Sequence, residues 1–337
     1  MGTDIYLTDT YLNVMDTELR PLKFVPQLKS VLWGGENIIP LKGLESDRKS
    51  VGESWEISGV PGHESVVADG PDAGKTLPEL IRMYKGALVG DDVYNKFGDM
   101  FPLLIKIIDA AKDLSVQVHP DDELAEKRHH SLGKTEMWYI MDTVPGAKIY
   151  AGLSKPITPA DYERLVNDKE IMDVVACHES HPGDVFFLPA GRIHAIGAGN
   201  LLAEIQETSD ITYRVYDFDR RDAQGNLRQL HTEEAKDAID YKVYPDYKTH
   251  YDREAKGDVE LVKCGHFDVR KVTVEGDFRV PAGKDSFMVI ICLDGKCDIA
   301  TDGGAVTYIA KGETILVPAS IKSIDAKGRS TLLTATV

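Results

Sequence analysis

The sequence predicts a mainly β protein, built from two β-barrel or β-sandwich domains with helical insertions in the first. Three observations predict this class: short apolar, β-branched runs recur between turn residues, helical periodicity is confined to a few segments, and one strand-and-turn pattern occurs twice. Runs of this length bounded by Gly, Pro and Asp are typical of buried strands. The clearest runs cover residues 101–108, 136–141, 184–189 and 286–292.

Helical patterns interrupt this β framework. The segment 77–89 has Pro78 near its start and Gly90 after its end, an arrangement that favours a helix between them. We therefore expect a helical insert near residues 74–100. The predicted helices cover residues 77–89, 91–98, 121–130, 159–168 and 232–240.

A polar, Tyr-rich segment interrupted by Pro245 divides the chain. Residues 240–256 lack strand or helix periodicity, which is typical of a linker between domains. We therefore place the first domain over residues 1–240 and a smaller second domain over residues 241–337.

An internal repeat supports two similar domains. GDVFFLPAGRIH, beginning at Gly183, matches GETILVPASIKS, beginning at Gly312, in the spacing of Gly and Pro. Each copy predicts a turn, a buried strand, a second turn and another strand, although chance spacing of Gly and Pro is an alternative. The first copy ends in His194 and the second in Ser323, so we expect a metal site only in the first domain.

Composition excludes several classes of protein. The 337 residues are 42% apolar, with 39 Lys and Arg against 55 Asp and Glu, so the net charge is −16. This acidity repels polyanions, and no apolar run reaches the roughly 18 residues of a membrane span, so we expect no nucleic-acid and no membrane partner. No secretory signal is visible, which predicts a cytoplasmic protein. The four cysteines lack paired spacing and are predicted to be reduced and buried.

Four potential metal ligands stand out. Gln117 and His119 are two residues apart in SVQVHPDDE, and such residues share one face of a strand. Glu136 begins the run EMWYIM, and His194 follows the turn PAGR. Two imidazoles, a carboxylate and an amide oxygen suit zinc or another divalent ion. Taken singly, a residue of this kind is more often a hydrogen-bonded group in the core or at the rim than a metal ligand.

Several motifs, in this order along the chain, resemble those of the type I mannose-6-phosphate isomerases, a zinc-dependent branch of the cupin superfamily. The motifs are WGG (33–35), GESWEIS (52–58), QVHPDDE (117–123), GKTEMWYI (133–140), PAGRIHAIG (189–197) and ITYRVYDFDR (211–220). The resemblance implies two cupin-type jelly-roll barrels, a catalytic one over 1–240 and one without metal ligands over 241–337. It also implies one zinc ion per chain, held by Gln117, His119, Glu136 and His194.

The same resemblance implies reversible isomerisation of mannose 6-phosphate and fructose 6-phosphate through an enediol. Such chemistry needs a proton-transfer group and a stabiliser for the oxygens. Glu204 and Arg214 match the interval between a Glu and an Arg of the family's active site, and we assign catalytic roles to them and to Lys134. A structural ion pair between Glu204 and Arg214 is the alternative interpretation.

An acidic protein needs local cations to bind a sugar phosphate. Guanidinium groups suit bidentate contacts with phosphate, and lysine supplies a compact charge. Lys134 lies two residues before Glu136, so an extended chain places both on one face. Arg220 has acidic neighbours in the sequence, and pairing with them is its alternative role. The predicted substrate-binding residues are Ser115, Lys134, Arg214 and Arg220.

Two other function classes stay open at this point. A metal-dependent cupin oxygenase uses a similar centre with ferrous iron, and a non-catalytic sugar-binding cupin retains a metal without turnover. Metal analysis with oxygen uptake distinguishes the first class, and a turnover assay distinguishes the second.

Overall fold

A computed structural model describes residues 19–221 and 224–337 of the chain. Residues 1–18, the start of the predicted first domain, lie outside the described part, as do residues 222–223. Strands dominate and form three sheets, so the predicted mainly β class is confirmed. No helix in the described ranges is long and apolar enough to cross a membrane.

The described residues form nineteen strands, seven α-helices and one short 3-10 helix, Ile171–Asp173. The strands are β1 (Leu22–Lys23), β2 (Gln27–Gly35), β3 (Val51–Ile57), β4 (Leu103–Ala110), β5 (Val116–Val118), β6 (Glu136–Thr143), β7 (Lys148–Leu153), β8 (Val175–Glu179), β9 (Val185–Leu188), β10 (His194–Ile196), β11 (Asn200–Glu207), β12 (Tyr213–Tyr216), β13 (Lys248–Thr249), β14 (Gly257–Lys263), β15 (Asp268–Val280), β16 (Met288–Thr301), β17 (Val306–Ala310), β18 (Thr314–Val317) and β19 (Ile324–Thr336). The α-helices are α1 (Ile38–Leu41), α2 (Leu77–Tyr84), α3 (Gly86–Val89), α4 (Asp91–Phe97), α5 (Asp122–His129), α6 (Pro159–Asn167) and α7 (Thr232–Ala238).

Two sheets pack together in the first part of the chain. The larger has the order β13-β9-β6-β11-β4-β2-β3, and the smaller has the order β12-β5-β10-β7-β8. Side chains of both sheets, such as Trp138 and Ile149, share one buried cluster. The other face of the smaller sheet, which includes Val118, packs against Tyr162 of α6 and Ala235 of α7. Hydrogen bonding leaves these sheets open instead of closing them into complete barrels.

The third sheet explains why the run at 286–292 is apolar from Phe287 onwards. Its order is β1-β18-β16-β19-β15-β14, and β17 also pairs with β16. Successive side chains of a strand point to opposite faces. Met288 and Ile290 of β16 pack inside the third sheet's own core. Val289 and Ile291 pack in a core shared with the larger sheet and the helical insert. A strand buried on both faces has no polar side to alternate.

Local signals predicted most helices. The predicted helix 77–89 is divided at Lys85, where α2 ends and φ is +47°. Thr158 begins α6 through a capping box with Asp161. Helix α1 is absent from the prediction because four residues are too few to show helical periodicity. The remaining predictions correspond to α4, α5, α6 and α7 at 91–98, 121–130, 159–168 and 232–240.

Both copies of the repeat have similar local structure. Gly183 and Gly312 have φ of +85° and +83°, a backbone conformation that glycine adopts without strain. Strands β9 and β18 follow these turns, and β10 and β19 come after the next turn. His194 begins β10, and Ser323 immediately precedes β19.

Part of the predicted linker belongs to the larger sheet. Strand β13 pairs with β9, and Tyr247 is buried with its hydroxyl 2.8 Å from the Leu153 carbonyl oxygen. A Cβ atom at Gly152 would lie 2.0 Å from the Tyr247 ring, and the φ of Gly152 is +76°, so this position requires glycine. The division of the chain at residue 240 stays a prediction.

The cysteines are free, but the prediction that all are buried is wrong. Cys292 and Cys297 are buried, whereas Cys264 is half-buried and Cys177 is exposed. Cys177 lies in β8, the edge strand of the smaller sheet, where one face of the strand is open to solvent.

A contact between the third sheet and the first part of the chain lies at the end of β11. His266, in the turn between β14 and β15, places Nδ1 2.8 Å from Glu207 Oε1. Glu207 Oε2 accepts a hydrogen bond of 2.8 Å from the Thr135 amide. The hydrogen bond to Glu207 raises the pKa of His266 above its ordinary value.

We predict that a His266→Gln variant loses more stability in mild acid than in mild base. A histidine whose pKa is higher in the folded than in the unfolded state stabilises the fold at pH values below the unfolded-state pKa. This stabilisation is lost as the pH rises through the folded-state pKa. The melting temperature of the variant should therefore be lower than that of wild type by up to about 3 °C near pH 5.5, and lower by less near pH 8.5. Thermal unfolding monitored by circular dichroism measures this difference. His130→Gln, at an exposed position, is the control, and equal differences at both pH values would contradict the prediction.

Candidate functional site

Three ionisable side chains meet between the two sheets of the first part of the chain. His119 follows β5, Glu136 begins β6 and His194 begins β10. One potential ligand atom of each lies within 4.8 Å of the others, and all three residues are buried. The smaller sheet therefore supplies both imidazoles, and the larger sheet supplies the carboxylate.

Main-chain carbonyls orient both imidazoles. His119 Nδ1 lies 2.8 Å from the Ile211 carbonyl oxygen, and His194 Nδ1 lies 2.7 Å from that of Arg192. Carbonyl oxygens only accept, so each Nδ1 carries the proton and each Nε2 presents a lone pair. Burial lowers the pKa of both residues, that of His194 to about 3, and keeps the rings neutral. Bonds of this kind orient metal-binding histidines.

The inner atoms of this group fit a divalent cation. Glu136 Oε1 lies 3.2 Å from His194 Nε2, and neither atom has a hydrogen-bond partner in the described part of the chain. Buried acceptors without a donor are costly unless a cation lies between them. Two imidazole nitrogens and one carboxylate oxygen form a common protein set for zinc.

The ammonium group of Lys134 lies inside the same centre. It contacts Glu136 Oε2 and lies 3.0 Å from His119 Nε2, and Lys134 is only 4% exposed. Burial raises the pKa of Glu136 to about 7, and the positive charge of Lys134 opposes this rise. Lys134 and Glu136 therefore share one face, next to the candidate ligands. The phosphate contact predicted for Lys134 stays a prediction.

Gln117 lies in the same row of the smaller sheet as His194. The two residues are directly opposite each other across β5 and β10, and Arg214 of β12 is opposite Gln117 on its other side. Directly paired residues share a face of the sheet. Val118 packs in the core on the opposite face, and Ser115 is buried immediately before β5. The role of Gln117 as a fourth ligand stays a prediction.

Glu204 lies between two partners in the larger sheet. Lys106 Nζ is 2.9 Å from Oε1, and Trp138 donates from Nε1 to Oε2 at 2.9 Å. Burial raises the pKa of Glu204, but the charges of Lys106 and Lys134 and the hydrogen bonds from Lys106 and Trp138 together outweigh it, and the pKa falls to about 2. The ion-pair partner of Glu204 is thus Lys106, whereas the sequence suggested Arg214. The sequence analysis missed Lys106, and a charged residue within the apolar run LLIKII is the only local signal that could have drawn attention to it.

Arg214 and Arg220 belong to a cluster around one buried carboxylate. Arg228 donates to both oxygens of Asp217, at 2.6 and 2.5 Å, and Arg220 Nη2 lies 3.1 Å from Asp217 Oδ1. Arg214 Nη1 donates to the Gln229 carbonyl oxygen at 2.9 Å. The sequence analysis missed Arg228 and Asp217, although the Asp217 to Arg220 segment lies within a motif it used.

Known proteins match the chain over most of its length. A family model described as phosphomannose isomerase type I, catalytic domain, matches residues 22–141, and one described as mannose-6-phosphate isomerase, cupin domain, matches residues 258–337. The chain is 35% identical to mannose-6-phosphate isomerase ManA of Bacillus subtilis over 318 residues, which cover 93% of this chain and 97% of that protein. It is 33% identical to mannose-6-phosphate isomerase of Streptococcus mutans, over 90% of this chain and 94% of that protein.

A solved structure agrees with these matches. The crystal structure of the Bacillus subtilis mannose 6-phosphate isomerase superposes with a TM-score of 0.83 at 32% identity. The superposition covers 94% of this chain and 99% of that one. Together with the cupin-domain match, it confirms the predicted cupin fold.

We predict that the protein binds one divalent ion per chain and that His194→Ala binds it at least about 100-fold more weakly. Loss of a ligand should exceed the 10–100-fold effect of losing an outer hydrogen-bond partner. Calorimetric titration with zinc after chelation, together with metal analysis, measures the affinity. The matched control is His250→Ala, which removes an imidazole at an exposed position. Unchanged affinity in His194→Ala would reject this centre.

Proposed function

The chain belongs to the type I mannose-6-phosphate isomerase family, and on that basis we propose that it interconverts mannose 6-phosphate and fructose 6-phosphate through an enediol. The observation that carries this function is the buried group of His119, Glu136 and His194 in a chain that matches isomerases over nine-tenths of its length. Neither alternative, an oxygenase or a non-catalytic sugar-binding protein, is favoured by these matches.

Zinc is the ion we propose for this centre, one per chain, with Gln117 as the fourth ligand. The set of two nitrogens and a carboxylate oxygen supports zinc. So do the partnerless Glu136 Oε1 and His194 Nε2, since a cation satisfies both atoms. When bound, a divalent ion polarises carbonyl and hydroxyl oxygens of an open-chain sugar.

We assign proton transfer between the two carbons to Glu204, and catalytic roles also to Lys134 and Arg214. Lys106 and Trp138 hold both carboxylate oxygens of Glu204, so its orientation is defined and it stays ionised. Lys134 lies against the candidate ligands and presents an ammonium group to a substrate oxygen bound there. A buried cation at this place stabilises negative charge on the enediol oxygens.

The substrate's phosphate is assigned to Ser115, Lys134, Arg214 and Arg220. Arg214 and Arg220 belong to the arginine cluster, by which we mean the guanidinium groups of Arg214, Arg220 and Arg228 around Asp217. Arg214 of this cluster lies in β12, the strand next to Gln117. We also infer a cytoplasmic location, which the free state of all four cysteines supports.

We predict that Glu204→Gln retains its metal and loses a factor of about 10² to 10⁴ in kcat, because the variant lacks a proton-accepting carboxylate. A coupled assay on mannose 6-phosphate measures kcat, and solvent deuterium incorporated at C1 of the fructose 6-phosphate product measures the proton transfer itself. Chelation of wild type should abolish both signals, and zinc should restore them. Glu123→Gln, at an exposed position, is the control. A kcat within threefold of wild type would remove Glu204 from the reaction.

A further inference from the structure

Asp217 and Arg228 have no role in the function as proposed so far, yet they are central to the arginine cluster. We propose that they are positioning residues: Arg228 occupies the carboxylate of Asp217 and thereby leaves Arg220 and Arg214 free to bind the phosphate group of the substrate. This inference rests on the proposed function and adds to it the residues that determine recognition of the phosphate.

The first support is a set of buried donors that make no hydrogen bond. Arg214 Nε and Arg220 Nη1 and Nη2 are buried and make none within the described ranges, although Arg220 Nη2 has its ionic contact of 3.1 Å with Asp217. Guanidinium groups left unsatisfied in the interior are costly. Their number and fork geometry suit an anion with several oxygens, of which a phosphate is the best match. Such an anion completes the cluster.

The second support is the pattern of contacts that the two carboxylate oxygens of Asp217 make. Arg228 takes both of them, at 2.6 and 2.5 Å, whereas Arg220 makes a single ionic contact at 3.1 Å. Asp217 is only 4% exposed, so its charge needs a partner. Without Arg228, Asp217 would be free to bind the guanidinium of Arg220 in the bidentate geometry and withdraw it from a ligand.

The third support is the charge that remains. Asp113 is the other carboxylate whose charge acts on Arg220, and its Oδ1 accepts a hydrogen bond of 2.7 Å from the Ala198 amide. Three guanidinium groups against Asp217 and Asp113 leave a positive cluster in a chain of net charge −16. A local excess of this sign favours an anionic ligand over a neutral sugar.

The fourth support is the backbone that carries Arg228. The Gln229 carbonyl accepts from Arg214 Nη1 at 2.9 Å, and His231 Nδ1 accepts from the Arg214 amide at 3.1 Å. The His231 amide donates to the Arg214 carbonyl at 2.8 Å. Residues 228–231 therefore position Arg214 through the main chain while Arg228 positions Arg220 through Asp217.

The test compares Arg228→Ala with Arg221→Ala in the zinc-loaded enzyme. Arg221 is exposed, and its guanidinium donates to the Gly225 carbonyl oxygen, so it is the matched control. We expect Arg228→Ala to raise KM for mannose 6-phosphate about tenfold or more, the factor for one charge-assisted hydrogen bond, with kcat within threefold. The inhibition constant of inorganic phosphate should rise by a similar factor. Arg228→Lys keeps the positive charge but loses the forked geometry of the guanidinium, so we expect a smaller rise in KM and in the inhibition constant. This variant still tests the inference if Arg228→Ala folds poorly.

A second substitution separates positioning from general damage. Adding Asp217→Asn to Arg228→Ala removes the charge that would capture Arg220, so phosphate affinity should recover at least threefold. The inference is overturned if Arg228→Ala behaves like Arg221→Ala, if kcat falls at unchanged KM, or if the double variant shows no recovery. If wild type has no isomerase activity, the proposed function fails instead, and calorimetric titration of the same variants with inorganic phosphate still decides the role of the pair.

Discussion

The first part of the chain depends on burying two imidazoles and one carboxylate at a single point between two sheets. The carbonyls of Ile211 and Arg192 occupy the outer nitrogens, so only the inner lone pairs of the rings remain, facing Glu136. Acceptors packed together repel one another unless positive charge lies among them. Lys134 supplies part of that charge, and the divalent ion that we propose would supply the rest. Because the three side chains come from both sheets, the centre forms only when the sheets are packed correctly.

Buried carboxylates elsewhere in the first part of the chain are also paired with cations. The chain is strongly acidic, yet two of its buried cations, Lys106 and Lys134, lie close to the candidate metal ligands. Lys106 fixes the carboxylate of Glu204, and Arg228 fixes that of Asp217. In both cases one cation neutralises a carboxylate of the protein, and in our proposal other cations nearby are then free to bind an external anion. An acidic surface and an anionic substrate are therefore compatible.

Features encoded within short segments were predictable, and features that join distant segments were not. The spacing of Gln117 and His119 predicted a shared face because the period of a strand is two residues. Lys106 and Glu204, by contrast, are 98 residues apart and meet only because β4 and β11 are neighbours. No local pattern specifies that pairing. Tyr247 was assigned to a linker because its neighbours are polar, although its own ring fills the space above a glycine.

The pairing of β1 with β18 has a consequence for biosynthesis. Leu22 and Lys23 find their partners in Leu316 and Ile315, nearly at the opposite end of the chain. A ribosome releases the early strand long before its partner has been translated, so the nascent polypeptide carries an open edge and an uncovered apolar sheet for most of its elongation. The edge of the third sheet beside Leu22 therefore forms only after residues 315–316 have been synthesised.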